Sequence, residues 1–116
     1  MCKVNIWDFS GYKEFLEVRN EFYKEVDAIV LCYDVTSGKS FEALDMWMRE
    51  AKKCGADKPL TIVCGTKKDL SGRRDVSESD ARSWASSKKC RYFEVSSKEN
   101  KGITELFSEL ISICLR

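Results

Sequence analysis

The chain has no histidine, a single proline and only six glycines in 116 residues. Its six cysteines never stand as C-x-x-C, and without histidine they cannot complete a common zinc site. Most of them read instead as small core residues of a reduced protein, which places the chain in the cytoplasm or nucleus. Charge of one sign is not in excess. The 20 Lys and Arg stand against 19 Asp and Glu, and the pairs Lys52-Lys53, Arg73-Arg74 and Lys88-Lys89 are scattered among nearby acids. That dispersal argues against nucleic-acid binding through a basic face. No apolar run is long enough to span a bilayer, and Met1-Cys2-Lys3-Val4 opens no signal-peptide core. Cys114-Leu115-Arg116 is not a prenylation box, because Cys114 lacks three residues after it.

What is present fits one small domain over residues 1–116, with 43% hydrophobic and 34% charged residues. Its organising stretch runs from Pro59 to Leu70. Leu60, Ile62, Val63 and Cys64 form a short apolar strand, and Gly65 is expected to turn the backbone so that Thr66-Lys67-Lys68-Asp69 stands at the strand's carboxyl end. In open α/β sheets ligands bind at that edge. A tetrad of this kind suits guanine: the Asp69 carboxylate can accept from N1–H and the exocyclic amine, while the Lys67 stem lies across the ring.

The rest of the chain alternates strand and helix. Lys3 to Trp7 has strand period and runs into Asp8-Phe9-Ser10-Gly11, and Glu14 to Lys24 has a loose helical pattern. Ala28 to Tyr33 is a continuous apolar run, the mark of a strand covered on both faces. Phe41, Leu44, Met48 and Ala51 predict an amphipathic helix through to about Lys53. Ser77 with Asp80 makes a capping-box pattern, with Val76 and Ala81 as a staple, for a helix to about Ser87. Arg91 to Val95 is the last strand and delivers Ser96-Ser97-Lys98 to the sheet edge, ahead of a helix with the stripe Ile103, Leu106, Phe107, Leu110, Ile111 and Cys114. The alternation, with no repeat or low-complexity tract, predicts a doubly wound α/β domain.

Three polar clusters therefore follow three strands: Asp8-x-x-Gly11, Thr66-Lys67-x-Asp69 and Ser96-Ser97-Lys98. This series resembles the small GTPases of the Ras superfamily over the whole chain. Tyr33-Asp34-Val35-Thr36 and Ser40-Phe41 look Rab-like, and Glu17 to Lys24 is similar to the Rab-related GTPases that carry a C-terminal J domain. The resemblance implies the three-layer P-loop NTPase fold with a mostly parallel sheet, and GTP or GDP with Mg²⁺ as cofactors. Asp8 would hold Mg²⁺ through a bound water, and Gly11 would offer its N–H to a γ-phosphate. Thr66 would tie neighbouring loops, Ser96 would brace the base loop, Ser97 would give its N–H to guanine O6, and Lys98 would cover the base or sugar. Effectors or exchange factors would read Gly11 to Lys24.

Two departures shape the functional expectation. Tyr12 stands where most relatives have the glutamine that orients the attacking water, so hydrolysis should be slow and no catalytic residue is assigned. No G-x-x-x-x-G-K-[ST] occurs in the chain. The resemblance implies that the phosphate loop and the first two strands precede Met1. The chain then reads as a partial GTPase domain, whose strand Lys3–Trp7 and strand Ala28–Tyr33 have lost the neighbour they share. The leading expectation is a Rab-like GTP-binding switch, weakly hydrolytic when complete. Its rival is a pseudo-GTPase interaction module with no nucleotide turnover. A flavodoxin-like domain rests on the alternating pattern alone.

Overall fold

The computed structural model describes residues 3–9, 13–55 and 59–115. A 3-10 turn at Lys13–Phe15 leads into α1 (Leu16–Tyr23), followed by β1 (Ala28–Asp34), α2 (Gly38–Glu42), α3 (Leu44–Lys53), β2 (Leu60–Thr66), α4 (Glu78–Ser87), β3 (Arg91–Glu94) and α5 (Ile103–Cys114). Among the described residues the strands form a single parallel sheet in the order β1-β2-β3. Each parallel pair needs a crossover, which the helices supply.

The side-chain period of two along β2 sorts the core into two layers. Val63 points to the side where Leu31, Tyr33, Val35, Leu44, Ala81 and Ala85 are buried, beneath α3 and α4. Ile62 and Cys64 point to the other side and pack with Val95 and Leu106 beneath α5. Helices therefore cover both faces of β2, and the fold is a three-layer α/β sandwich of the kind the alternation predicts.

The second layer stops short of β1. Leu31 and Tyr33 are buried, but Val30 and Cys32, which face the α5 side, are exposed. The expectation that Ala28 to Tyr33 is covered on both faces is not met; β2 is the strand with both faces covered. An apolar run records hydrophobicity on both faces, and only the neighbouring helices decide which face is covered.

Other expectations change in detail. Lys3 to Trp7 is not a strand, since it finds no ladder partner among the described residues. Trp7 and Phe9 instead pack on Phe22 of α1, with ring centroids 4.8 and 5.1 Å apart. The helix expected from Phe41 begins earlier, because the Ser37 side chain accepts from Ser40 N–H, and it is interrupted at Ala43. Gly65 does not turn the chain; it lies within β2, paired with Tyr33 and Glu94. Glycine is required there for space, because a Cβ would sit 2.9 Å from the Tyr33 hydroxyl and 3.1 Å from Val35 Cγ1. The turn comes two residues later, where Lys67 adopts φ 62°.

The cysteines are less uniformly buried than expected. Cys64 is in the core, Cys54 and Cys90 are half-buried, and Cys32 and Cys114 are exposed, all as free thiols. Cys2 lies outside the described residues. The capping expectation at α4 is met: Asp80 N–H donates to Ser77 Oγ at 3.0 Å, and Val76 and Ala81 join one buried cluster.

Candidate functional site

The parallel register brings three chain segments to one end of the sheet. Asp34, the last residue of β1, is paired with Thr66, the last of β2, and Val95 N–H donates to Gly65 carbonyl just beyond β3. The loops that follow β2 and β3 are joined where Lys68 N–H donates to the Val95 carbonyl at 3.0 Å. Thr66, Lys67, Asp69, Leu70, Ser97 and Lys98 line an open cleft of about 410 Å³ between them.

Ser96 connects the two sides. It is 1% exposed, donates from Oγ to Asp69 Oδ1 at 2.8 Å, and accepts at the same oxygen from Glu99 N–H at 3.0 Å. Its own backbone exchanges two hydrogen bonds with Lys101, which closes the loop into a narrow hairpin. Asn100 at φ 53° and Gly102 at φ 77° let the chain reverse there, and a Cβ on Gly102 would lie 2.5 Å from the Glu94 carbonyl. Among the described residues Asp69 Oδ2 and the Ser97 N–H have no hydrogen-bond partner. The cleft thus presents a free carboxylate acceptor and a free backbone donor.

Thr66 and Lys67 are each tied back to β1. Thr66 Oγ1 donates to the Tyr33 carbonyl of β1 at 3.0 Å. Lys67 Nζ forms an ion pair with Asp34 Oδ2 at 2.8 Å. Asp34 Oδ1 also accepts from Thr36 N–H and Oγ1 at 2.8 and 2.6 Å. Lys67 first, and then the Thr36 donors, hold the Asp34 carboxyl down to about 2. Sequence reasoning gives Asp34 no place in the site. The signal that could have found it is register, since adjacent parallel strands that both end in polar residues bring those residues together.

A second polar group lies below the cleft. Arg74 Nη1 donates to Glu94 Oε1 at 3.0 Å, and Arg74 Nη2 pairs with Glu94 Oε2. Arg74 Nε reaches the Val76 carbonyl at 2.7 Å, Tyr92 donates to Glu94 Oε2 at 2.5 Å, and the Tyr33 and Tyr92 hydroxyls share a 2.5 Å contact. Burial pushes the Glu94 carboxyl up, and the hydrogen bonds from Arg74 and Tyr92 outweigh it, leaving the group below the usual carboxylate range. This network fastens the chain after Asp69 to the strand before Ser96, so it fixes the distance between the two loops. Sequence reasoning missed it, because no spacing rule pairs residue 74 with residue 94.

Asp8 is not part of the cleft. It is exposed, and its charge reaches Cys32 of β1, where it opposes ionisation of the thiol. Gly11 and Tyr12 lie outside the described residues. Among the described residues no three His, Cys, Asp or Glu side chains converge as a metal cluster, and no helix is long and apolar enough to cross a membrane.

The profile of the Ras family matches residues 1–116. Among curated proteins the chain is 44% identical over 115 residues to the DnaJ homolog subfamily C member 27 of Danio rerio, covering 95% of this chain and 42% of the relative. It is 42% identical to the protein of that name from Gallus gallus and 40% identical to that from Homo sapiens, each over 121 residues, 97% of this chain and 44% of the relative. The chain spans less than half the length of the curated relatives it matches. The expected likeness to Rab-related GTPases with a J domain agrees with those names. With its α/β core and the polar cleft at the carboxyl end of its parallel sheet, the chain belongs to the Ras family.

Proposed function

We propose that the cleft at the end of β2 and β3 is the base-reading half of a guanine-nucleotide site in a Rab-like molecular switch. The observation that carries this reading is the Ser96–Asp69 hydrogen bond, which leaves Asp69 Oδ2 free to accept while the Ser97 N–H stands free to donate. Guanine offers two adjacent donors and a carbonyl acceptor. Adenine would put an acceptor opposite Asp69, and each polar group left unsatisfied costs about 1 to 3 kcal/mol. Lys67, steadied by Asp34, and Lys98 flank the base with their stems, and Thr66 holds the loop to β1.

Mg²⁺ would be held at Asp8. One exposed carboxylate suits an ion that keeps several waters and takes its remaining ligands from phosphate oxygens. When bound, the ion would neutralise phosphate charge. Gly11 would approach the γ-phosphate through its N–H. With Tyr12 in the place of the water-orienting glutamine, hydrolysis is slow: a phenol offers one oxygen for both donating and accepting, whereas an amide turns a separate carbonyl acceptor and N–H donor to the water. Effectors or exchange factors dock on Gly11 to Lys24, and the protein works in the cytoplasm or nucleus.

The second reading is an interaction module that turns over no nucleotide. Tyr12 in the place of the water-orienting glutamine favours it. Amide NMR separates the two. On the first reading, guanosine and GDP shift the signals of residues 66–70 and 96–98 at concentrations where adenosine and ADP do not. Equal shifts from adenine ligands would overturn guanine selectivity, and no shift from any of the four supports the second reading.

A further inference from the structure

Among the described residues α1 is joined to the body by a different kind of contact from the longer helices. Leu44 and Ala51 anchor α3, Ala81 and Ala85 anchor α4, and Leu106 anchors α5, all through buried apolar side chains. The buried residue of α1 is an arginine, Arg19, which is 6% exposed.

Arg19 forks on to Glu50 of α3, with Nη2 to Oε1 at 2.8 Å and Nε to Oε2 at 3.0 Å. Its guanidinium lies 5.2 Å from the centroid of the Trp47 ring. One turn further along α1, the Tyr23 hydroxyl donates to Glu50 Oε2. Below this the Cys54 thiol donates to Asn20 Oδ1 at 2.6 Å. Leu16 and Val18 of α1, and Phe15 just before it, are exposed.

A helix of eight residues is too short to persist unaided, since isolated helices under about 12 to 15 residues are marginal in water. What keeps α1 in place is therefore its attachment. An apolar seam loosens gradually, but a bidentate pair stacked on a ring is either formed or broken. Breaking it takes a carboxylate away from a guanidinium that is buried.

We propose that Arg19, Glu50 and Trp47 form a latch between α1 and α3, which holds Leu16–Tyr23 in one position and frees that helix as a unit when it opens. A regulatory use of the latch, in which partners distinguish the closed from the open helix, rests on the partner-facing role proposed above for Gly11 to Lys24. The latch itself does not.

Hydrogen exchange of backbone amides in the 116-residue chain tests it. In the unsubstituted protein α1 should exchange as slowly as α3, although α3 has buried apolar anchors and α1 has among the described residues only the half-buried Phe22, packed on Trp7 and Phe9. Glu50→Gln should speed exchange across residues 16–23 at least tenfold and leave residues 60–66 within twofold. Arg19→Lys, which keeps the charge but loses the fork and the flat face, should give a smaller rise confined to the same segment. Unchanged α1 exchange in both variants would overturn the proposal. So would an equal loss of protection in β2, or failure of Glu50→Gln to fold, because a latch acts locally. Partner binding that ignores an opened α1 would count against the partner-facing role and leave the latch standing.

Discussion

At the scale of single residues, the cleft depends on side chains that take no part in lining it. Ser96 satisfies two groups through one hydroxyl, the Asp69 carboxylate and the Glu99 N–H. Ser96→Ala should destabilise the protein by about 1 to 3 kcal/mol, since both partners lose their hydrogen bond to a buried hydroxyl. Chemical denaturation measures this, and a loss below about 0.5 kcal/mol would mean that water replaces the hydroxyl. Asp34 makes a prediction about pH. Its carboxyl is held at about 2 against an ordinary 3.8, so its pairing with Lys67 and Thr36 stabilises fully above 3.8 and is lost as pH falls through 2. Asp34→Asn should therefore be less stable than the parent at neutral pH, with the gap closing between pH 4 and pH 2. Urea midpoints across that range will show a constant gap if the ion pair is not responsible.

At the scale of elements, α4 shows how far local chemistry carries. Its start is set by Ser77, and the helix begins at Glu78. Ser77→Ala should cost about 1 kcal/mol and lower the melting temperature by a few degrees, whereas Ser77→Gly should cost only a few tenths. Equal losses would point to a cause other than capping. The segment Lys3 to Trp7 is the contrasting case. Its alternation is that of a strand, yet a strand is stable only in a ladder, and its residues instead place Trp7 and Phe9 on Phe22. Period two is a property of the sequence; a hydrogen-bonding partner is a property of the assembled sheet. Gly65 was legible as a special position but not for its reason, because the crowding by Tyr33 and Val35 comes from another strand.

For the whole molecule, the layering decides which thiols meet solvent. Cys32 and Cys64 are paired in register on neighbouring strands, yet Cys64 lies under α5 and Cys32 is exposed beyond its reach. The adjoining Cys64 thiol lowers the Cys32 thiol to about 7 against desolvation and the charge of Asp8, while Cys64 is pushed up by Cys32 and by its own burial. Cys32 should react with a thiol reagent at least tenfold faster than Cys64. Its rate should rise with pH to a plateau, with a midpoint about 7, and mass-spectrometric mapping of the labelled sites checks both. Preferential labelling of Cys64 would show that the two faces of β1 and β2 are not covered as described.

The sequence alone determined the α/β class, the order of most elements and the polar clusters that follow β2 and β3, because periodicity, capping and motif spacing are local properties of the chain. It also picked out the tetrad Thr66-Lys67-Lys68-Asp69, proposed above to read the base, whose residue types carry their own hydrogen-bonding logic. Tertiary structure decided the rest. It placed Asp34 beside Lys67, joined Ser96 to Asp69, set Arg74 on Glu94 and fastened Arg19 to Glu50. Each of these pairs is separated by 20 to 33 residues, and no local rule links positions so far apart. They meet because parallel strands in register deliver their carboxyl ends to one edge, and because helices packed on the sheet bring distant side chains within hydrogen-bonding distance.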